Sequence, residues 1–271
     1  MCDHKTEHAP IGIGWSDLQP MRRGDTLHEL ALPLPWLLGS WALFASPVWP
    51  LGFLASFMFF LCALRLNHEA IHGNLGLPRT GDRWLLHVLS FLMGSSNNAV
   101  AYGHMLHHKH AMGPGDFEGK CGHMTFWEVL RYGPRFPLDV NRHAWTGSNR
   151  AGRRRIAVDW ALNVAMIALA IHIGGFLLFH IAAMAIAQCL TALFAVWITH
   201  QGTEGSGIAA RSQRGILARL AYLMFYHREH HLYPRVPVHR LPILAERLDR
   251  GAPGYAAARV PVIPLLDRKT P

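Results

Sequence analysis

Two stretches of this chain repeat one arrangement of imidazoles. His104-Met105-Leu106-His107-His108 and His227-Arg228-Glu229-His230-His231 both read His-x-x-His-His. A third cluster, His68-Glu69-Ala70-Ile71-His72, spaces two histidines four apart. Residues three and four apart share a helix face, so each cluster is expected to present its imidazoles in a single direction. Imidazole is a ligand for zinc, copper, iron and nickel. A tetrahedral zinc takes about four ligands. The three clusters together hold twice that, which suits two metal ions sharing one site. His200, in Thr199-His200-Gln201, is a ninth candidate.

The elements that must position these residues belong to a membrane protein. The chain has 271 residues, of which only 16% are charged, with nine Trp and thirteen Phe. Globular chains carry about a quarter charged residues. The net charge is +9, which alone would raise nucleic acid as a partner. Its distribution excludes that class. No Lys or Arg lies between Gly24 and Leu64, or between Ile156 and Ala210. Basic residues gather on the cytoplasmic side of a membrane, where they also meet anionic lipid.

Each cation-free stretch divides into two apolar runs. Leu30–Trp49 and Leu51–Leu66 are separated by Pro47 and Pro50, and Ile156–Ile173 and Phe176–Thr199 by Gly174-Gly175. The pattern predicts an all-α integral membrane protein with four transmembrane helices in two hairpins. A cytoplasmic helical cap would carry the histidine boxes, and both termini would be cytoplasmic. One domain is expected over residues 1–271, with a polar tail at 1–25 and another tail at 251–271. Trp84–Ala101 is expected to lie along the inner face as a helix. Arg214–Tyr226 is expected to do the same, because Ile216, Leu217, Leu220, Leu223 and Met224 recur at helical spacing.

This topology puts all three boxes and His200 on one side of the membrane. His172 and His180 fall at the opposite turn, and His4 and His8 in the polar tail; none of these is expected at the site. Cys2, Cys62, Cys121 and Cys189 form no C-x-x-C pair, so they are expected as reduced thiols outside any cluster. Met1–Pro20 carries no apolar core of a secretory signal.

Two other chemistries compete. His68-Glu69-Ala70-Ile71-His72 fits H-E-x-x-H, a zinc metalloprotease pattern with Glu69 as base, but that reading leaves two complete boxes without purpose. A metal transporter would place its ligands near the bilayer midplane, whereas these cluster at one face. Ligating histidines commonly donate their second N–H to a carboxylate or carbonyl. Glu69, Asp116, Glu118, Glu204 and Glu229 are near enough in sequence to accept it.

In order, His-Glu-Ala-Ile-His-Gly, His-Met-Leu-His-His-Lys-His and Phe-Tyr-His-Arg-Glu-His-His-Leu-Tyr-Pro resemble the boxes of the membrane fatty-acid desaturase superfamily, over about Leu66 to Asp249. The resemblance implies a non-haem di-iron centre that uses O2 as co-substrate. It implies His68, His72, His104, His107, His108, His227, His230 and His231 as ligands, with His200 as the additional histidine before the third box. His110 would stand just behind the ligands, beside Glu69, Asp116 and Glu229. The implied activity is oxidation of an unactivated C–H bond in a lipid chain, with fatty-acyl desaturation first. The alternative is a hydroxylase or ketolase of a carotenoid or other lipid. The chain has no His-Pro-Gly-Gly haem stretch, no ferredoxin cysteine pattern and no G-x-G-x-x-G loop, so no fused haem, iron–sulfur or flavin group is expected. Electrons would come from a separate donor, a ferredoxin or cytochrome b5 with its reductase.

Overall fold

The computed structural model describes residues 12–203 and 209–267. His4, His8, Cys2 and Glu204 lie outside them. Every regular element among the described residues is helical. The first is α1 (Arg23–Ala31), followed by α2 (Leu34–Phe44) and α3 (Pro50–His72). Pro33 and Pro35 divide the run Leu30–Trp49, because proline cannot donate inside a helix. What remains of it is the 11-residue α2. Phe44 at the end of α2 rests on Gly52 of α3, where a Cβ would overlap the ring.

α3 has 23 residues, about 35 Å at 1.5 Å per residue, enough for a hydrocarbon core of about 30 Å. It stops at Gly73, whose φ of 69° lets the Asn74 N–H reach the Glu69 carbonyl and close the last turn. α4 (Arg79–Met93) ends at Gly94 in the same left-handed conformation. The Ser96 hydroxyl then caps α5 (Asn97–His110) by accepting the Ala99 N–H. The segment expected as one helix over Trp84–Ala101 is therefore two, broken at the glycine.

α6 (Phe126–Tyr132) and α7 (Phe136–Gly147) lead to α8 (Arg150–Ile173), capped by Asn149. After Gly174-Gly175, α9 (Phe176–Thr191) continues through a π-helical turn (Ala192–Trp197) into α10 (Ile198–His200). Phe176–His200 thus forms one 25-residue apolar helix. With α3 and α8 it makes three helices, among the described residues, long and apolar enough to cross a membrane. Val164, Ile167 and Ile171 of α8, Leu178 and Ile186 of α9, and Leu51 and Leu54 of α3 are exposed. Such an outward apolar surface suits lipid better than water.

Beyond the helices, α11 (Ile216–Leu220) is shorter than its periodicity predicts. The chain turns back at Tyr222 and Leu223, whose φ values are 52° and 67°. Arg65 of α3 donates to the Tyr222 carbonyl and the Leu223 N–H closes on Ala218, which together hold the reversal. α12 (His227–Leu232), α13 (Leu241–Gly251) and α14 (Pro253–Ala257) complete the chain. Ile13, Trp15 and Leu18, from the polar N-terminal segment, pack on a cluster that includes Leu241, Leu244 and Leu248 of α13. Cys62, Cys121 and Cys189 are free thiols.

Candidate metal centre

The C-terminal end of α3, the second half of α5, the end of α10 and α12 converge beside one another. They bring nine imidazoles into two groups that could each hold a metal ion. His68, His72, His104, His108 and His230 form one; His107, His200, His227 and His231 form the other. The boxes do not each face one way, as expected from spacing alone. The pairs four residues apart (His68 and His72, His104 and His108, His227 and His231) each serve one group. His107 and His230, three residues into their boxes, each turn to the other group. Three residues advance a helix by about 300° and four by about 400°, so these neighbours diverge by about 100°. Each His-x-x-His-His box therefore links the two groups.

The distances within each group suit a central cation. Nε2 of His68 and His230 are 2.9 Å apart, His72 and His104 3.0 Å, His104 and His108 3.1 Å, and His108 and His230 2.9 Å. In the second group the corresponding separations are 3.1 Å for His107 and His200, 2.9 Å for His200 and His227, and 3.2 Å for His227 and His231. Nitrogens bound at about 2.1 Å lie about 3.0 Å apart along an octahedral edge and about 3.4 Å apart in a tetrahedron. The octahedral value fits, and five ligands exceed a tetrahedral set. A hydrogen-bonded ring of imidazoles fits less well where the Nδ1 carries the proton.

Two Nδ1 atoms show where their protons are. His107 Nδ1 lies 2.6 Å from Asp116 Oδ2, and His200 Nδ1 donates to the Ala209 carbonyl. Each arrangement turns the Nε2 lone pair toward the group centre. Burial and neighbouring imidazoles hold His108, His227, His230 and His231 well below the usual imidazole pKa. Four neutral rings thus offer lone pairs rather than protons. Burial disfavours the Asp116 carboxylate, but His107 and the backbone N–H groups of Gly119 and Met112 outweigh it, and the pKa is about 2.

The other expected acids occupy different places. Glu69 Oε2 accepts the Val238 N–H at 3.0 Å, while its Oε1 lies 3.6 Å from His68 Nδ1. Glu118 approaches His104 Nδ1 to 3.8 Å. It is admitted by Gly103, where a Cβ would meet its Oε1. Glu229 touches no imidazole. It accepts from Arg214 at 2.6 Å, Tyr255 at 2.8 Å and Ser212 at 2.7 Å. Burial opposes its charge, and the Arg214 guanidinium and these donors hold it below the usual carboxylate range. It braces the turn from which His227 and His230 project. His110 belongs to neither group. His180 is bonded to the Leu92 carbonyl at 2.9 Å, and His172 is exposed.

An apolar cavity of about 400 Å³ abuts both groups. His68, His104 and His227 form part of its wall. Phe57, Leu61 and Leu64 of α3, Phe194 of the π turn and Leu217 with Met224 line the rest. Its size falls in the range of about 300–1,000 Å³ typical of small-molecule sites. Among the described residues it has no Lys or Arg in its wall. The π turn, the braces on Glu229 and the residues lining this cavity were not read from the sequence, because none has a spacing signature.

A family model described as Fatty acid desaturase matches residues 44–262. This chain belongs to the fatty acid desaturase family. Membership makes it an oxidoreductase of a membrane-associated kind. The matched region of this desaturase-family protein contains all nine grouped histidines and both walls of the apolar cavity. No curated protein matches the chain.

Proposed function

We propose that this protein is an O2-dependent oxidase of lipid chains, with fatty-acyl desaturation as its reaction. The observation that carries the proposal is the apolar cavity walled by His68 and His104 of one group and His227 of the other. A substrate there lies beside both groups at once. Five imidazoles, His68, His72, His104, His108 and His230, would hold one iron, and His107, His200, His227 and His231 the second. Two irons so bound would supply activation of O2 and removal of hydrogen from an unactivated C–H bond.

The chain's own residues do the remaining work. Asp116 and the Ala209 carbonyl fix the ring orientation of His107 and His200. Phe57, Leu61, Leu64 and Phe194 present an apolar surface that excludes water and aligns a hydrocarbon against the imidazoles. Hydroxylation or ketolation of a carotenoid or another lipid is the second reading. Asn67, Glu118 and Thr199 favour it, because they give the cavity polar atoms able to meet an oxygen-bearing product.

In the membrane, α8 and the helix Phe176–His200 would form one hairpin. α3 with the shorter α2 would form the other, for four membrane-embedded segments. The boxes and both termini would face the cytoplasm, where Arg150–Arg155 keeps the start of α8. A separate ferredoxin or cytochrome b5, with its reductase, would deliver electrons. His107→Ala tests the assignment. The expected result is loss of iron, measured by elemental analysis, together with loss of lipid oxidation in cells, read by mass spectrometry. A missing hydrogen pair in the product marks desaturation and an added oxygen atom marks the second reading. Unchanged iron with full activity would reject the assignment of His107 as a ligand.

A further inference from the structure

A second cavity, of about 820 Å³, lies between the starts of α4 and α8 and the outward side of α5. Arg79, Arg83, Lys109 and Arg155 line it. Arg79, Arg83 and Lys109 are exposed and Arg155 is half-buried, so all four charges are open to a ligand. The first turns of α4 and α8 add their own positive ends, since helix N-termini favour anions. One acid stands among these cations. Asp82 also lines the cavity, is 3% exposed, and neither of its carboxyl oxygens has a hydrogen-bond partner. Burial pushes this carboxyl up to about 6, and the Arg79 guanidinium opposes that rise.

A simple anion would satisfy the four cations and leave Asp82 bare. A buried acceptor without a partner is costly, so its presence calls for a donor in the same ligand. The cavity also has a position. Trp84 and Val88, on the other side of α4, are 71% and 51% exposed. An exposed indole beside arginines marks the membrane–water interface. Basic pockets at that level are suited to lipid headgroups.

We propose that this cavity is a binding site for a phospholipid headgroup, one whose phosphodiester carries an N–H or O–H donor. Arg79, Arg83, Lys109 and Arg155 receive the phosphate, and Asp82 receives the ammonium of an ethanolamine or the hydroxyl of a glycerol. Charge-assisted hydrogen bonds of both signs then meet in one ligand. A choline headgroup lacks the donor and leaves Asp82 unsatisfied. The site is separate from the apolar cavity, and Ile71 stands in the wall of both. Binding there would hold the starts of α4 and α8 at the bilayer surface, whatever reaction the metal groups perform.

The test uses the full-length, metal-loaded protein, equilibrated with vesicles of equal parts phosphatidylethanolamine, phosphatidylglycerol and phosphatidylcholine with identical acyl chains. Retained lipid is read by native mass spectrometry, and metal content monitors folding. The two donor-bearing lipids are expected to exceed phosphatidylcholine by roughly tenfold. Replacing Arg79 and Arg83 together by Ala is expected to lower their retention roughly tenfold or more, since each interfacial cation contributes about a fivefold factor. Asp82→Ala is expected to abolish the preference over phosphatidylcholine. Asp82→Asn keeps an acceptor of the same size; it is expected to lower ethanolamine retention and spare glycerol.

Equal retention of all three lipids by the unaltered protein would overturn the proposal. So would unchanged retention of the donor-bearing lipids after the double Arg substitution, with the metal content intact. Complete displacement by millimolar inorganic phosphate would show that a free anion suffices and would overturn the requirement for a donor. Loss of reduction by an acidic electron carrier in the Arg variant, with lipid retention unchanged, would assign the cations to a protein partner instead.

Discussion

The residues that matter most beside the imidazoles are those that decide which ring nitrogen carries the proton. Asp116 is bonded to His107 Nδ1 and is itself held by two backbone N–H groups. Asp116→Asn keeps an acceptor but removes the charge, and metal affinity is expected to fall about 10- to 100-fold. Metal retention against a graded chelator checks this, and the melting temperature should move little by comparison. Glu229 acts differently. Its carboxylate compensates the buried Arg214, so Glu229→Ala leaves that guanidinium in the protein interior with only the longer carboxylate contact to Asp249, at 3.4 Å. The expected cost is about 3–5 kcal/mol of stability, read by thermal unfolding in detergent, with metal loss following from the loosened α12 rather than from a missing ligand. Glu229 and Asp116 were equivalent candidates in sequence; only their contacts separate them.

At the level of elements, the π turn Ala192–Trp197 has the clearest consequence. A π turn inserts one extra residue into the helical register, and here it sits just before His200 while lining the cavity through Phe194. Deleting Ala195 removes that extra residue and is expected to close the turn to ordinary α-helix, leaving His200 on its face and withdrawing Phe194 from the cavity. Iron content, by elemental analysis, should then stay unchanged while turnover of long chains falls; iron reduced to about half would show instead that the deletion turns His200. The cavity gives a complementary test. Leu64→Trp fills space against the imidazoles without touching a ligand, and is expected to lower turnover of long chains while iron content stays unchanged. Filling a packed site by a few methylenes commonly costs about 1–3 kcal/mol, so the melting temperature should be followed beside activity.

For the whole molecule, acid should act through the buried imidazoles. In the metal-free fold His108, His227, His230 and His231 have depressed pKa values. The unfolded chain therefore binds protons near the ordinary value of about 6.5 that the folded chain refuses. Stability should be flat above that pH and fall as pH drops below it. Asp116, with its pKa of about 2, adds a second loss only below the ordinary carboxylate range of about 4. Metal bound to the folded chain raises stability, but its nitrogens, like those of the metal-free fold, take no protons, so the decline below about 6.5 remains. Stability measured from pH 8 to pH 4 should therefore fall in parallel below about 6.5 with and without metal, the metal-bound protein standing higher; a flat profile would contradict this.

The chain by itself specified the all-helical class, the long apolar helices and the identity of every grouped histidine, because helical periodicity, hydropathy and ligand spacing are local properties. Pro47 with Pro50 and Gly174-Gly175 also foretold two of the breaks, whereas the break at Gly94 and the contraction of Leu30–Trp49 to α2 came with the structure. What sequence could not specify was the division of the nine imidazoles between two centres. His107 and His230 cross to the opposite group because α5 and α12 face each other at a particular rotation, and that rotation is set by packing among distant segments. The same holds for Arg65 on Tyr222, Arg214 on Glu229, and the cavity beside His68, His104 and His227. These depend on contacts between residues far apart in the chain, for which no short pattern exists.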